Sequence, residues 1–488
     1  MYSYGMPALS ARRRWVLLAT VSTGLLLITL DNSVLYTALP TLTRELGTTS
    51  TESLWIINAY PLVMAGLLLG AGTLGDRVGH RRMFVIGLVI FGAASAFAAF
   101  SPVPLALIAA RALLAVGAAA MMPATLALIR VAFTDERERN IAIGLWGSLA
   151  VVGAALGPIL GGLLLEFFWW GSVFLINVPV VVVALVATML VAPRGERHPG
   201  RPWDLLSSVQ AMIGLASLVV AVKEAAKGGE ALWPVVASML AVAAVAFWLF
   251  VRRQRRLPYP LLDFALFRNP AVLAGVIAAG LSMFAVAGTE LVTAQRFQLV
   301  EGFSPLQAGL VVAALALGSL PSALAGGAVL HRTGPRLLIG GGFAVGAIGT
   351  AAAPLLLGFG WGWMLVGLVI AGAGLGLVMA AASAAIVGNA PVHRAGMASS
   401  VEEVSYEFGS LTAVAVLGGL ILSAFGGAGH GVGGAGSGPG GGAAVAAGAA
   451  ADTGFLTVMV IVAVVLAAAS VVTTVLLRGT RAGTLVNH

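Results

Sequence analysis

Cysteine is absent from this chain of 488 residues. Its absence excludes a disulfide framework and any cysteine-ligated metal centre, and leaves the redox compartment undetermined. Charge is also scarce: Asp, Glu, Lys and Arg make up 9% of the residues, and lysine supplies only two of the 27 basic ones. With 59% hydrophobic residues and a mean hydropathy of +1.00, there is too little polar material to coat a soluble fold, so the chain reads as an integral membrane protein. The net charge of +8 does not indicate nucleic-acid binding, because the arginines are scattered between apolar runs instead of forming one basic face. No GxxxxGK(S/T) phosphate loop occurs, so ATP coupling has no support and no cofactor is expected.

What is present is a series of apolar runs of about 20 residues, enough for helices that cross ~30 Å of hydrocarbon. They lie near 15–38, 54–75, 83–101, 104–128, 141–165 and 172–192. After a polar linker, APRGERHPGRPWD, come two more near 205–222 and 232–251, then a basic amphipathic segment, RRQRRLPYPLLDFALFRN, suited to the membrane interface. Six further runs, near 271–294, 305–330, 336–357, 361–388, 395–424 and 454–477, complete fourteen. The expected organisation is an all-α membrane protein in a 6+2+6 arrangement. It has an N-terminal six-helix bundle (1–192), a linker with two extra helices (193–270) and a C-terminal six-helix bundle (271–488). The glycine-rich stretch 426–450 reads as a flexible outer loop. Arg12, Arg13 and Arg14 imitate the start of a signal peptide, but no small-residue cleavage site follows, so a retained first helix is expected.

With a cytoplasmic N-terminus, 22 of the 27 basic residues fall on the cytoplasmic side. Only Arg44, Lys223, Lys227 and Arg296 fall outside, and Arg111 lies within helix 4. That asymmetry places both termini in the cytoplasm, and it supports the count, since one missed span would invert every later loop.

Acids stand inside these apolar runs: Asp31 in helix 1, Glu290 in helix 9, and Glu402, Glu403 and Glu407 in helix 13. Such groups normally face a bundle interior or a watery cavity, where they bind protons, ions or cations. Arg111, the only basic residue inside a span, needs a buried partner, for which Asp31 is the leading candidate. Loss of hydration favours a neutral carboxyl and an approaching guanidinium an ionised one, so a changing separation would bind and release a proton. The alternative is a static pair that fixes helices 1 and 4. Glu403 and Glu407 share one helix face, with Glu402 turned about 100° from Glu403. Two ionised carboxylates on one face repel, so one of them is expected to hold a proton or meet a cation. Glu402 is near evenly balanced between such a role and that of a mere neighbour. Glu290 is either a further contact for a cation or the ion-pair partner of Arg296. Tyr406, beside Glu407, is the aromatic singled out for cation–π contact. Trp55, Tyr60, Trp146 and Phe284 are better explained by packing or interfacial anchoring.

The loop after helix 2 reads GTLGDRVGHRR, with Gly72, Asp76, Arg77, Gly79 and Arg81, and the pattern returns after helix 10 as GAVLHRTGPR. There Gly327, Gly334 and Arg336 repeat the spacing of Gly72, Gly79 and Arg81, with His331 in place of the acid. Two copies at matching places imply parallel internal repeats, as in many secondary transporters. In helix 5, Gly153, Gly157 and Gly161 recur every fourth position beside Gly162, forming a groove for close helix approach, and Pro158 permits a kink.

GTLGDRVGHRR resembles the loop signature of the major facilitator superfamily. Three more of its motifs stand in order: RALLAVG in helix 4 with Arg111 and Gly117, GAALGPILGG in helix 5, which resembles the antiporter signature, and LDNSVLYTALP with VFLINVPV in helices 1 and 6, similar to the fourteen-span drug:proton antiporters. EEVSYEFG in helix 13 narrows the likeness to the QacA, SmvA and LfrA group of multidrug exporters. The resemblance implies a major facilitator fold in the cell membrane and proton-coupled export of lipophilic cations such as quaternary ammonium antiseptics and dyes. The partners it implies are protons, those cations and the lipid bilayer, for a protein acting as a monomer. It further implies proton coupling at Asp31, proton and cation binding on helix 13, and a role for the helix 5 motif in preventing proton leak. Asn58, in WIINAYPL, departs from the QacA and SmvA pattern, where an acid stands at this place in helix 2; that speaks against divalent substrates. The rivals are a dedicated exporter of one antibiotic or metabolite and, remotely, a membrane-embedded enzyme, for which no nucleophile, metal cluster or cofactor site is visible.

Overall fold

The computed structural model describes residues 10–133, 135–193, 204–225, 232–258, 260–389, 395–426 and 441–478. Among the described residues there are helices and no strands. In chain order the helices are α1 (Ala11–Leu46), α2 (Ser50–Val78), α3 (His80–Ala99), α4 (Pro104–Ala132), α5 (Glu136–Phe167) and α6 (Ser172–Val191), the last interrupted at Ile176. Then come α7 (Leu205–Ala225), α8 (Trp233–Gln254) and α9 (Pro270–Leu299). A continuous helical run, Pro305–Leu357, bends at Gly334, and its two membrane-length parts are α10 (Pro305–Leu330) and α11 (Arg332–Leu357). The series closes with α12 (Trp361–Val387), α13 (Ala395–Gly426) and α14 (Gly441–Leu476). Eleven segments among the described residues are long and apolar enough to cross a membrane. Their outward faces carry large apolar side chains, with Leu105 71%, Leu190 76% and Leu355 70% exposed. Hydrocarbon rather than water suits such a surface.

The expected repeat is visible in the packing. In the first six helices α1 packs on α5, α3 on α4, α2 on α4, and α6 on α3 and α1; in the last six α9 packs on α13, α11 on α12, α10 on α12, and α14 on α11 and α9. Each pair recurs eight helices later. The ends of α2 and α10 repeat as well. Thr49 and Glu52 form a capping box at the start of α2, and Ser304 and Gln307 form one at the start of α10, 255 residues on. At the far ends Gly79 (φ 99°) and Gly334 (φ 75°), again 255 residues apart, turn the chain with backbone angles that side-chain-bearing residues avoid. Asp76 and His331 sit on helical backbone, but their side chains lie outside the described ones.

The two halves meet closely at the end where α1, α5 and α9 finish and α2 and α10 begin. A Cβ on Gly162 would come within 2.5 Å of the Leu306 Cα, and one on Gly309 would strike the Pro158 carbonyl oxygen, so α5 and α10 touch backbone to backbone. Gln298 of α9 donates to the Thr37 carbonyl of α1 at 2.8 Å, and Leu54 of α2 fills the space over Gly418 of α13. Gly153, Gly157 and Gly161 instead face α1 within their own half, against Thr29, Ser33 and Val34. The groove anticipated in α5 thus holds α1, while Pro158 and Gly162 reach across the halves.

The extra hairpin lies outside both bundles. Leu215 and Val219 of α7 cluster with Leu62 and Ala65 of α2 and Leu411 and Ala415 of α13, covering one seam between the halves. Asp204 accepts from Arg253 Nε at 3.0 Å and from the Ser207 hydroxyl, while Gln254 donates to Ser207 and accepts from the Leu261 amide. These bonds join the two helices at one end. The segment after α8, expected to be amphipathic, forms only a short 3-10 turn, Phe264–Arg268. The glycine-rich stretch departs from a plain loop, because α13 reaches Gly426 and α14 begins at Gly441. Residues 441–450 are therefore helical, in keeping with their many alanines, and 427–440 lie outside the described residues.

Gly79→Ala and Gly334→Ala are each expected to lower stability by about 1–3 kcal/mol, since both force a side chain into a glycine-only conformation. Gly327→Ala, in open space on a helix, is expected to be neutral or slightly stabilising. Thermal unfolding in detergent checks the contrast.

Candidate functional site

Asp31 sits in the body of α1 and is 2% exposed. Arg111, wholly buried on α4, donates from Nη1 to Asp31 Oδ2, which makes the pair anticipated from the sequence a direct contact. The guanidinium is held from two further sides. Its Nε donates to the Ile56 carbonyl of α2 at 3.3 Å, and its Cζ lies 4.6 Å from the centroid of the Tyr60 ring, a cation–π distance. Pro61, inside α2, removes the donor that the neighbouring Ile57 carbonyl would otherwise receive, loosening the turn from which Arg111 takes its acceptor. Arg111 Nη2 has no partner.

The other carboxylate oxygen is also held. Asn177 Nδ2, at the start of α6 after the break at Ile176, donates to Asp31 Oδ1 at 3.1 Å and reaches the Ser95 hydroxyl of α3 at 3.3 Å. All six helices but α5 therefore contribute to this centre. A buried pair with hydrogen bonds on both partners meets the condition under which a desolvated ion pair is tolerated.

The second half presents a different chemistry. Glu407 of α13 is 8% exposed, its Oε2 has no partner, and it lies within reach of the Arg111 charge. Glu403, one turn away on the same face, is half-buried. Glu402 turns toward α12, where it bonds Ser383 and accepts from the Tyr406 hydroxyl at 3.2 Å. Tyr406 is thus engaged within its own half. Glu290 of α9 is 5% exposed and has no hydrogen bond or ion pair among the described residues. Its anticipated alternative, pairing with Arg296, does not occur, because Arg296 points to Asp452 at 2.8 Å and Glu301 at 3.1 Å. With a helical rise of about 1.5 Å per residue, six residues put the two side chains too far along α9 to meet.

Between the halves stands Tyr36 of α1, whose hydroxyl shares a 2.8 Å hydrogen bond with Ser410 of α13 and which feels the charges of Glu290 and Glu407. Tyr36, Asn177 and Ser410 were not singled out from the sequence. A signal was present for each, since Tyr36 lies in LDNSVLYTALP and Asn177 in VFLINVPV, and Ser410 follows Glu407 by three residues on the same helix face. Asn58 is fully buried with neither side-chain polar atom bonded. Of the loop residues, Arg81 donates to the Met189 carbonyl of α6 at 2.7 Å, while Arg77 is exposed. Trp55 lies under Lys223 at 5.1 Å.

Eleven apolar helices of membrane length, a repeated pattern of helix pairing and charged groups buried among the helices fit a membrane transporter. The Major Facilitator Superfamily model matches residues 21–296. The chain is 38% identical over 414 residues to the methyl viologen resistance protein SmvA of Salmonella typhimurium, covering 85% of this chain and 83% of that one. It is 39% identical over 415 residues to the multidrug efflux pump LfrA of Mycolicibacterium smegmatis, covering 85% and 82%. In fold it is similar to the crystal structure of a bacterial homologue of the human lysosomal transporter Spinster, inward-facing and unoccupied, with TM-score 0.64, 18% identity, and 96% and 98% of the two chains covered. The chain belongs to the major facilitator superfamily.

Removing either member of the ion pair strands the other in a dry site. Asp31→Asn and Arg111→Gln are each expected to cost about 3–5 kcal/mol, and the double variant clearly less than their sum. Thermal unfolding of the four proteins in detergent measures the coupling.

Proposed function

We propose that this protein is a proton-coupled antiporter that exports lipophilic monovalent cations, among them quaternary ammonium antiseptics and cationic dyes, across the cell membrane. The observation that carries the reading is the buried Asp31–Arg111 pair in one half with the Glu407 carboxylate of the other half within reach of the Arg111 charge and its Oε2 unpartnered, while Glu290, also buried, lies within reach of Tyr36. Unpartnered buried carboxylates are stable only with a proton or a cation, so the two ligands compete for the same charge. Protons arriving from outside displace the drug, and their loss to the cytoplasm restores the charge that attracts the next one. Proton coupling falls to Asp31, Arg111, Glu403 and Glu407. Substrate contact falls to Asp31, Asn58, Glu290, Glu403, Tyr406 and Glu407.

The chain acts as a monomer with fourteen spans and both termini cytoplasmic, a topology supported by the repeat of α1–α6 in α9–α14 and by the arginine asymmetry. In that orientation the end sealed by Pro158, Gly162 and Gly309 is the outer one. Rocking of the halves then requires α5 and α10 to part, and Gly72, Asp76, Arg77, Gly79 and Arg81 to shift at the cytoplasmic side.

In inverted vesicles carrying a proton gradient, ethidium or a quaternary ammonium compound is expected to provoke proton movement, and Asp31→Asn to abolish it. Proton movement with a neutral antibiotic but with no cation would replace this reading by that of a dedicated antibiotic exporter. Asn58→Asp adds a negative charge to the site and is expected to raise transport of divalent methyl viologen at least several-fold relative to ethidium in the same vesicles.

A further inference from the structure

Three polar atoms lie unpartnered in the core between α2, α4 and α13: Arg111 Nη2, the Tyr60 hydroxyl and Glu407 Oε2. They complement one another as donor, donor-acceptor and acceptor. Buried polar atoms without partners are rare, and three with matching roles in one place point to a link that is made directly or through a water. Tyr60 is fully buried. Its ring supports the Arg111 guanidinium at 4.6 Å, and it lies within reach of the charges of Asp31, Glu407 and Glu403. It stands on α2, which packs on α4 in its own half and on α13 across the seam. No other aromatic among the described residues stacks on Arg111.

We propose that Tyr60 is a positioning residue that couples the charge state of Asp31 in one half to that of Glu407 in the other. Its ring fixes the guanidinium, and its hydroxyl supplies the hydrogen bond that the Glu407 carboxylate lacks. The proposal rests on the transport reading above and deepens it. Asp31, Arg111 and Glu407 together carry one net negative charge when both acids are ionised. One proton or one monovalent cation cancels that charge, so the trio exchanges them one for one. The remaining titratable groups that face it are Tyr36 of α1, Glu290 of α9 and Glu403 of α13. With Asp31 paired, Arg111 still has Nη2 free, so a proton on Asp31 turns the guanidinium toward Glu407 and draws the halves together through Tyr60.

The test is proton release on adding tetraphenylphosphonium to the full-length protein in detergent, followed with a pH dye from pH 5 to 9. The wild type is expected to release about one proton per cation bound. Tyr60→Phe keeps the ring over Arg111 but removes a donor from the Glu407 carboxylate, so the midpoint of release is expected to move to more alkaline pH by about one unit. A residue that serves packing alone leaves that midpoint where it was, and this result would overturn the proposal while sparing the transport reading. Absence of any release from the wild type would overturn both. Should Tyr60→Phe not fold, 3-fluorotyrosine at position 60, nearly isosteric, replaces it. Its fluorine resonance is then expected to shift on tetraphenylphosphonium addition in wild-type Glu407 but not with Glu407→Gln, and a resonance that ignores both changes rejects the link.

Discussion

The structure depends on one desolvated ion pair. Asp31 and Arg111 lie where hydrocarbon or packed side chains surround them, and each charge is tolerable only because the other is there. The helices around the pair are arranged to complete it: α2 offers a carbonyl and an aromatic face, α6 breaks at Ile176 and starts again with Asn177 against the carboxylate, and α3 supplies Ser95 behind it. The first half is therefore organised around a fixed charge, whereas the second offers carboxylates that lack one. The proton exchange proposed above rests on that inequality, because a site already fully compensated has no reason to bind anything.

The repeat explains how the two halves can differ in chemistry while agreeing in shape. Equivalent helices pack in equivalent pairs, and α2 and α10 begin with the same capping device and end at glycines with the same kind of backbone turn. These shared features are helix-end caps, glycine turns and helix packing. The buried charged residues are not repeated: α4 carries Arg111 and its counterpart α12 no charge, and α13 carries Glu402, Glu403 and Glu407 where its counterpart α5 has no acid in its apolar stretch. Geometry is thus common to both halves, and function lies in where they diverge. The extra hairpin adds a further asymmetry, since α7 covers the α2–α13 seam and leaves the α5–α10 seam bare of it.

The class of fold was legible because membrane helices announce themselves by length and hydropathy, and the repeat because Gly72, Gly79 and Arg81 recur at fixed spacing. The Asp31–Arg111 pair was legible for a related reason: a lone buried base has few places to look for its counter-charge. Glu290 shows the limit. Its neighbour in sequence, Arg296, has two acidic partners in space, one of them Asp452 from a helix more than 150 residues away. Tyr36, Asn177 and Ser410 escaped notice because nothing in their chemistry is unusual until a partner stands opposite. The helix over 441–450 was hidden by glycines that also mark loops.

By itself the sequence determined that the protein lives in a membrane, that its halves are related, and which few residues carry charge where charge is costly. Those properties depend on composition and spacing along one chain, and hydrocarbon enforces them residue by residue. Only the tertiary structure decided which acids are compensated and which are not. Compensation is a matter of a few ångströms between helices far apart in sequence, and it separates Asp31, held by Arg111 and Asn177, from the buried Glu290 and Glu407, which have no hydrogen bond or ion pair among the described residues.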